Sequence, residues 1–172
     1  MSKAASEPHF QIFRKTDARE LMESGIMSIL PYTPIQAKGV KAVKEASAVP
    51  GSKTKVLFNI PGFSLLHAWF KAGYPLALHS HDSDCLYYIV AGSLRLGTEE
   101  LGPQEGFFIP ANVPYSYTPG PKGVEVLEFR HATSFHFNVL AKGEAFWERA
   151  AKTVAAHSED WTAAKMPSET PV

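Results

Sequence analysis

The stretch that decides the fold of this chain runs from Gly73 to Gly92 and reads GYPLALHSHDSDCLYYIVAG. Its two histidines, His79 and His81, are one residue apart in a segment where apolar residues alternate with others. Since residues two apart in a strand point to the same face, the segment predicts two imidazoles on one side of a sheet. Neutral imidazole is the commonest protein ligand for mid-row divalent metals, so the pair indicates half of a metal site. The alternative is a polar strand face whose histidines bond to neighbours and water.

The spacing around the histidine pair resembles the first motif of the cupin family. Five residues separate Gly73 from the pair, three separate the pair from Cys85, and six more lead to Gly92. The cupin pattern is Gly, five residues, His-x-His, three or four residues, Glu, six residues, Gly. A second block, GFFIPANVPYSYTPG at 106–120, resembles the second cupin motif, in which Pro-x-Gly precedes a further histidine.

The chain departs from the cupin pattern at two metal-ligand positions. Cys85 stands where the pattern has glutamate, and Tyr115 stands where the second motif has histidine. Cys85 is either a thiolate ligand or a small buried hydrophobe, because a thiol must lose its proton before it binds metal. A phenol of pKa about 10 ionises poorly at neutral pH, so we expect Tyr115 to be a hydrogen-bond donor or an acid. Two glycine positions of the second motif carry Gln104 and Asn112, and asparagine tolerates positive φ better than most residues.

Short apolar runs separated by turn residues follow one another from Lys55 onward. They predict an all-β fold whose strands leave no room for crossover helices and are therefore largely antiparallel. The pattern fits a jelly-roll barrel, which is also the fold that the cupin resemblance implies. The predicted strands include LALHSH at 76–81 and YSYT at 115–118.

Helical segments flank the predicted barrel. The segment TDARELMESG at 16–25 predicts one short helix, and residues 26–49, which mix prolines with apolar runs, are assigned no element. Residues 143–157, GEAFWERAAKTVAAH, predict an amphipathic helix with a narrow apolar stripe. We therefore divide the chain into an N-terminal extension with a short helix (1–54), a cupin barrel (55–140) and a C-terminal helix and tail (141–172).

Composition and charge narrow the class of protein. The 172 residues suffice for one domain with a sizeable core, and 17 basic residues balance 17 acidic ones. We therefore expect no nucleic-acid partner and no membrane partner. A single cysteine and the lack of an apolar leader in MSKAASEPHFQIFRK predict a cytoplasmic protein.

Three tyrosines are candidate catalytic residues. Tyr117 shares a strand face with Tyr115, and Tyr87 shares one with Cys85. The three tyrosines would line an aromatic pocket suited to a small, partly apolar molecule, or they would pack as core. In the pocket, Tyr115, Tyr87 or Tyr117 would transfer a proton or orient the substrate.

Three other residues are candidates for substrate binding: Arg130, His67 and Trp69. Arg130 shares a strand face with Glu128, and it would hold a substrate carboxylate if that face is interior. If the face is exterior, both are surface charges. His67 and Trp69 alternate together on an earlier strand. The third metal ligand could instead be His67, His131 or His136, and the sequence does not select one of them.

Two functions follow from the resemblance and the residues. The first is a small metal-dependent enzyme, of the dioxygenase, isomerase or lyase type that the family implies, with a divalent Fe, Mn, Ni or Zn on His79, His81 and, where its thiolate forms, Cys85. The second is a non-catalytic barrel that binds or senses a small ligand without tight metal. Homodimerisation is a further expectation that the family implies.

Overall fold

The computed structural model describes residues 9–170. The predicted N-terminal extension and C-terminal tail both reach outside this range, into residues 1–8 and 171–172. Within it the elements are, in chain order, a 3-10 turn (Lys15–Asp17), β1 (Arg19–Glu20), α1 (Leu21–Ser24), β2 (Met27–Ile29), α2 (Pro34–Glu45), β3 (Ser52–Ile60), β4 (Phe63–Phe70), β5 (His79–Ser80), β6 (Cys85–Leu96), β7 (Glu99–Leu101), β8 (Gly106–Ile109), β9 (Thr118–Arg130), β10 (Phe135–Val139), α3 (Glu144–Ala163) and a second 3-10 turn (Pro167–Glu169).

The strands of the described residues form two sheets. The larger sheet has seven strands in the order β1-β3-β4-β9-β6-β7, with β8 also paired to β6, and the smaller has the order β2-β10-β5. Every pairing is antiparallel except that of β10 with β2. An isolated antiparallel bridge joins His79 of the smaller sheet to Tyr115. The predicted all-β, largely antiparallel fold is confirmed.

Period-two alternation determines which side chains of β6 form the core. Cys85, Tyr87 and Ile89 are buried, whereas the residues between them are exposed. They pack with residues of β4 and β9, including Val124 and Val126, in one apolar cluster. Burial of a Val or Ile side chain contributes roughly 1.5–3 kcal/mol, so this cluster stabilises the interior face of the larger sheet.

The glycine positions of the two motifs have backbone reasons. Gly92 has φ 75°, and a β-carbon there would collide with the carbonyl oxygen of Gly123 on β9. Gln104 and Asn112, which occupy glycine positions of the second motif, have φ 70° and 63°. The chain thus keeps the left-handed turns without glycine at these two sites.

Two predicted strands are shorter than expected. Of 76–81 only His79 and Ser80 form β5, and of 115–118 only Thr118 joins a strand, β9. Between them, the Ser116 hydroxyl donates to the Leu76 carbonyl at 2.7 Å. The Leu76 N–H donates to the Tyr74 carbonyl in a local turn, which removes Leu76 from a strand ladder.

The helices differ more from expectation. Segment 16–25 is a 3-10 turn, a two-residue strand and the four-residue α1, not one helix. Segment 26–49 contains α2, where Thr33 and Gln36 form a reciprocal capping box and Pro34 occupies the first turn. A proline at this position favours a helix start, so its presence is no argument against a helix. The predicted C-terminal helix is confirmed and is longer, Glu144–Ala163.

The division into extension, barrel and tail stays a prediction. Helices α2 and α3 pack together where Gly39 meets the indole of Trp147, so closely that a β-carbon on Gly39 would overlap the ring. No helix in residues 9–170 is long and apolar enough to cross a membrane.

Candidate functional site

A cavity of about 200 Å³ lies between the two sheets. Its polar lining combines seven residues that sequence reasoning selected or noted with the hydroxyl-bearing Ser52 and Thr54 of β3. The chemistry-bearing side chains around it are His79, His81, Tyr87, Tyr115, Tyr117, Glu128 and Arg130. Its apolar lining includes the rings of Phe70, Phe135 and Phe137. The structure thus brings together two predicted ligands, three predicted catalytic tyrosines and one predicted substrate-binding residue, whose roles stay predictions.

The two histidines are held in one orientation and one tautomer. Their ring centroids are 5.1 Å apart. The Nδ1 of His79 lies 2.7 Å from the carbonyl oxygen of Ala77, and the Nδ1 of His81 lies 2.8 Å from that of His136. Since a carbonyl only accepts, each Nδ1 carries the proton and donates it. Each Nε2 therefore keeps a lone pair for a ligand.

Burial keeps both imidazoles neutral. Burial, followed by the charge of the neighbouring His81, lowers the pKa of His79 to about 4. Burial followed by the nearby positive charge of Arg130 lowers the pKa of His81 to about 4 as well. Phe137 stacks on the His79 ring at 4.7 Å, which shows how apolar this part of the cavity is. At neutral pH both residues are therefore uncharged nitrogen donors.

The hydroxyls of Tyr87 and Tyr115 form a connected network with Arg130. Tyr87 and Tyr115 share a short hydrogen bond, and the Nη2 of Arg130 donates to the Tyr87 hydroxyl at 3.4 Å. Burial, followed by the negative charge of Glu128, raises the pKa of Tyr87, Tyr115 and Tyr117 well above 10. The phenols remain protonated, so they act as hydrogen-bond donors.

Glu128 and Arg130 form a buried ion pair that faces the cavity. The Nη1 of Arg130 donates to the Oε2 of Glu128 at 2.6 Å, and Arg130 is only 1 % exposed. The guanidinium also lies 4.0 Å from the ring centroid of Phe135. Of the two orientations left open for this strand face, the structure has the interior one. Sequence reasoning did not assign Glu128 a role, although its position two residues before Arg130 already placed the two on one face.

Cys85 belongs to the core and does not line the cavity. It is 2 % exposed, and burial, followed by the charge of Glu128, raises the pKa of its thiol to about 12. A thiol with this pKa is protonated at neutral pH, and only the thiolate binds metal. The structure therefore favours the packing role for Cys85, and its role as a ligand stays a prediction.

His67 and Trp69 lie away from the cavity. On β4 the residues paired with interior positions of β9 are Leu66 and Ala68, so the odd-numbered residues point to the other face. There the Nε2 of His67 lies 2.8 Å from the Oε2 of Glu125. The structure does not bring either residue to the predicted site.

The other candidate third ligands are also remote. His131 is exposed. The side chain of His136 is 52 % exposed and lies 3.3 Å from the Oδ2 of Asp82 at the surface.

The donor set fits a metal only in part. In the described part of the chain, no group of three or more His, Cys, Asp or Glu residues is arranged to hold a metal ion. Two imidazoles with oriented Nδ1 protons and free Nε2 lone pairs do match what a divalent metal requires of histidine. Glu128, the carboxylate of the lining, is already bonded to Arg130. The residues therefore fit a metal held by two imidazoles, with its other coordination positions not occupied by protein ligands among the described residues.

No protein-family model and no curated protein matches the chain. Solved structures do match it. The polyketide cyclase RemF from Streptomyces resistomycificus aligns with a TM-score of 0.56 at 16 % identity, over 87 % of this chain and 99 % of that one. A mutant of oxalate decarboxylase OxdC from Bacillus subtilis aligns with a TM-score of 0.48 at 18 % identity, over 54 % of this chain and 28 % of that one. An RmlC-like cupin from Shewanella frigidimarina aligns with a TM-score of 0.43 at 20 % identity, over 49 % of this chain and 78 % of that one.

These likenesses concern the fold, since all three identities are 20 % or lower. RemF aligns over nearly its whole length, whereas the other two align over part of theirs. The two motifs, the antiparallel barrel and the histidine pair on its inner wall, together with the likeness to RemF, give the chain its structural class: it has the cupin fold.

Proposed function

We propose that this protein is an enzyme that acts on a small, partly apolar organic molecule in the barrel cavity, with a divalent metal anchored by His79 and His81. The carrying observation is the pair of neutral imidazoles whose Nδ1 atoms donate to backbone carbonyls and whose Nε2 atoms are free. Such outer hydrogen bonds orient histidine ligands in metal sites. A cavity of about 200 Å³ with aromatic walls suits a small organic molecule, since it is below the usual range for drug-sized ligands.

A bound divalent metal would polarise an oxygen atom of the substrate as a Lewis acid. The remaining roles fall to the chain itself. Tyr115 lies beside His79, with ring centroids 4.4 Å apart, and its protonated hydroxyl can donate to a substrate oxygen. Tyr87 positions Tyr115 through their shared hydrogen bond, and Arg130 in turn holds Tyr87. The phenylalanine rings exclude water, which strengthens these polar contacts.

The reaction class is part of the proposal. Dioxygenase, isomerase and lyase chemistry all accord with an open Lewis-acid site beside protonated phenols. RemF, which shares the fold, is named a polyketide cyclase. Its name supports an enzymatic role for a barrel of this shape, and bond rearrangement within one organic substrate is the chemistry that we would screen first.

A second candidate function is a non-catalytic barrel that binds or senses a small ligand without tight metal. One observation favours it: within residues 9–170 no third metal-binding side chain joins the histidine pair. The aromatic walls, the tyrosine hydroxyls and the Arg130 network would then serve ligand recognition alone.

Elemental analysis of the untagged protein, after reconstitution with Fe, Mn, Ni or Zn, separates the two candidates. We expect near one equivalent of one of these metals in the wild type and none in the variant that combines His79→Ala with His81→Ala. The matched control is His136→Ala, which removes an exposed histidine but keeps the backbone carbonyl that His81 uses. Circular dichroism checks that each variant keeps its β fold. Absence of metal from the reconstituted wild type would overturn the metal-dependent function and favour the binding barrel.

We also propose that the chain forms a homodimer and is cytoplasmic. Exposed apolar residues on the outer face of β6 and β8 support an association between copies: Leu86, Tyr88, Val90 and Phe108. Leu86 lies directly opposite Phe108 in the sheet. Contiguous exposed apolar side chains often mark such contacts. Light scattering that reports a monomer at micromolar concentration would overturn the dimer.

A further inference from the structure

A second cavity, of about 680 Å³, opens on the outer side of the barrel. It lies where the C-terminal half of α3 meets the end of β4 and the first residues of β9. Its ionisable and indole-bearing lining residues are Trp69, Lys71, Lys122, His157, Asp160, Trp161 and Lys165. We call it the α3 groove. It shares no lining residue with the cavity of the histidine pair.

Lys71 is the unusual residue of this groove. It is only 8 % exposed, and lysine is rarely so buried without an anionic partner. Its ammonium donates to the carbonyl oxygen of Trp161 at 2.7 Å and lies 5.3 Å from the ring centroid of Trp69. Both partners are neutral, and in residues 9–170 Lys71 forms no ion pair with a carboxylate. A buried positive charge is therefore left without a counter-ion.

The position of Lys71 is well fixed. Its backbone N–H donates to Gly51, and its carbonyl accepts from Tyr74. On the other side of the groove, the indole N–H of Trp161 donates to the Ala72 carbonyl at 2.9 Å. The ammonium is thus held in place by contacts that a ligand would not have to create, so little ordering would accompany binding.

The rest of the groove adds positive charge and flat apolar walls. Lys122 and Lys165 line it and are exposed, whereas Asp160 is the one carboxylate among the described lining residues. Three cations therefore face one anion. Trp69, which is 9 % exposed, and the exposed Pro121 supply apolar surface next to these charges, whereas Trp161 is 2 % exposed and forms the floor of the groove.

We propose that the α3 groove is a second ligand site, which binds an organic oxyanion with an apolar ring and places the negative charge beside Lys71. Carboxylate and phosphate share this chemistry, because both offer oxygen acceptors to an ammonium. The ring would lie against the Trp69 indole and Pro121, as ligand rings do in pockets with aromatic and apolar walls.

The test compares three probes that share a ring: benzoate, phenyl phosphate and the neutral benzyl alcohol. Binding is measured by calorimetry and by tryptophan fluorescence, since two of the three tryptophans line the groove. We expect one or both anions to bind at least about tenfold more tightly than the alcohol, as charge-assisted hydrogen bonds are stronger than neutral ones. Preference for benzoate identifies a carboxylate ligand, and preference for phenyl phosphate identifies a phosphate ligand.

Four variants locate the bound anion. Lys71→Met should weaken its binding about tenfold or more. Because Lys71 is buried, the exposed Lys165→Met serves as a second variant whose fold is not at risk, with an expected loss of about two- to fivefold. The control Lys142→Met removes an exposed lysine before the other end of α3, roughly 30 Å away along the helix, and should bind like the wild type. The variant with both His79→Ala and His81→Ala should also bind like the wild type.

Three results would overturn the proposal. The first is a wild type that binds neither anion more tightly than benzyl alcohol. The second is unchanged anion affinity in both Lys71→Met and Lys165→Met. The third is loss of affinity only in the double histidine variant, which would place the anion in the barrel cavity.

Discussion

Acidification from about pH 7 to about pH 4 should destabilise the metal-free protein through His79 and His81. In the folded chain the pKa of each is about 4, against an ordinary 6.5. Between these values the unfolded chain binds more protons than the folded one, so the free energy of unfolding falls as the pH falls. A difference of about 2.5 at ~1.36 kcal/mol per pKa unit corresponds to about 3 kcal/mol for each histidine. This penalty is absent above pH 6.5 and complete below pH 4.

The stability penalties of the two histidines are not simply additive, because the titrations of the two imidazoles are coupled. Their rings are 5.1 Å apart, so a proton on one imidazole disfavours a proton on the other. We therefore use single variants, His79→Gln and His81→Gln, whose amide side chains do not titrate. The free energy of unfolding is measured by urea denaturation in EDTA at several pH values from about 7 to about 4.

Each glutamine variant should show a shallower loss of stability than the wild type. The slope should differ by up to about 1.4 kcal/mol per pH unit in the window between 4 and 6.5. The control His136→Gln changes an exposed histidine and should follow the wild type. Parallel profiles for the wild type and both cavity variants would refute the conclusion that burial holds these imidazoles neutral.

Three further substitutions test the packing around the site. Glu128→Ala leaves the buried guanidinium of Arg130 without its partner and should cost about 3–5 kcal/mol in the free energy of unfolding, measured in urea. Cys85→Ser buries a hydroxyl in an apolar cluster and should cost about 1–3 kcal/mol, while elemental analysis should find the metal content unchanged. Gly39→Ala places a β-carbon against the indole of Trp147 and should cost about 1–3 kcal/mol, measured as a lower midpoint of urea unfolding.

For each of these predictions, one outcome would contradict the reasoning. A stable Glu128→Ala protein would show that the buried charge finds another partner or water. Loss of metal in Cys85→Ser would show that the thiolate is a ligand. For the helix contact the control is Gly102→Ala, because a β-carbon there makes only an ordinary contact, 3.8 Å from the Oε2 of Glu105. Equal destabilisation of the two alanine variants would remove the close approach of α2 and α3 as the cause.

Much of the fold followed from local patterns. Turn residues between short apolar runs predicted the antiparallel barrel, and the glycine and histidine spacing predicted the cupin fold. The helix α2 was missed because its strongest signals are a capping box and an N-terminal proline. In a segment with several prolines, these signals are weaker evidence for a helix than hydrophobic periodicity. The lengths of the two short strands were overestimated because alternation shows which residues could form a strand, whereas their observed pairing is limited to the bridge between His79 and Tyr115 and to two residue pairs of β5 with β10.

By itself, the sequence determined which side chains share a face. The period of two placed His79 with His81, Tyr115 with Tyr117 and, on β9, Glu128 with Arg130. Only the tertiary structure decided which of those faces is interior. Nearly every residue of β4 is buried, so its two faces do not alternate between exposed and buried side chains. The sequence therefore could not show which sheet face carries His67 and Trp69. That side is set by the register of β4 against β9, a strand about sixty residues away in the chain. The uncompensated charge of Lys71 likewise appears only when α3 closes over the end of β4, because burial is a property of the packed chain and not of a residue type.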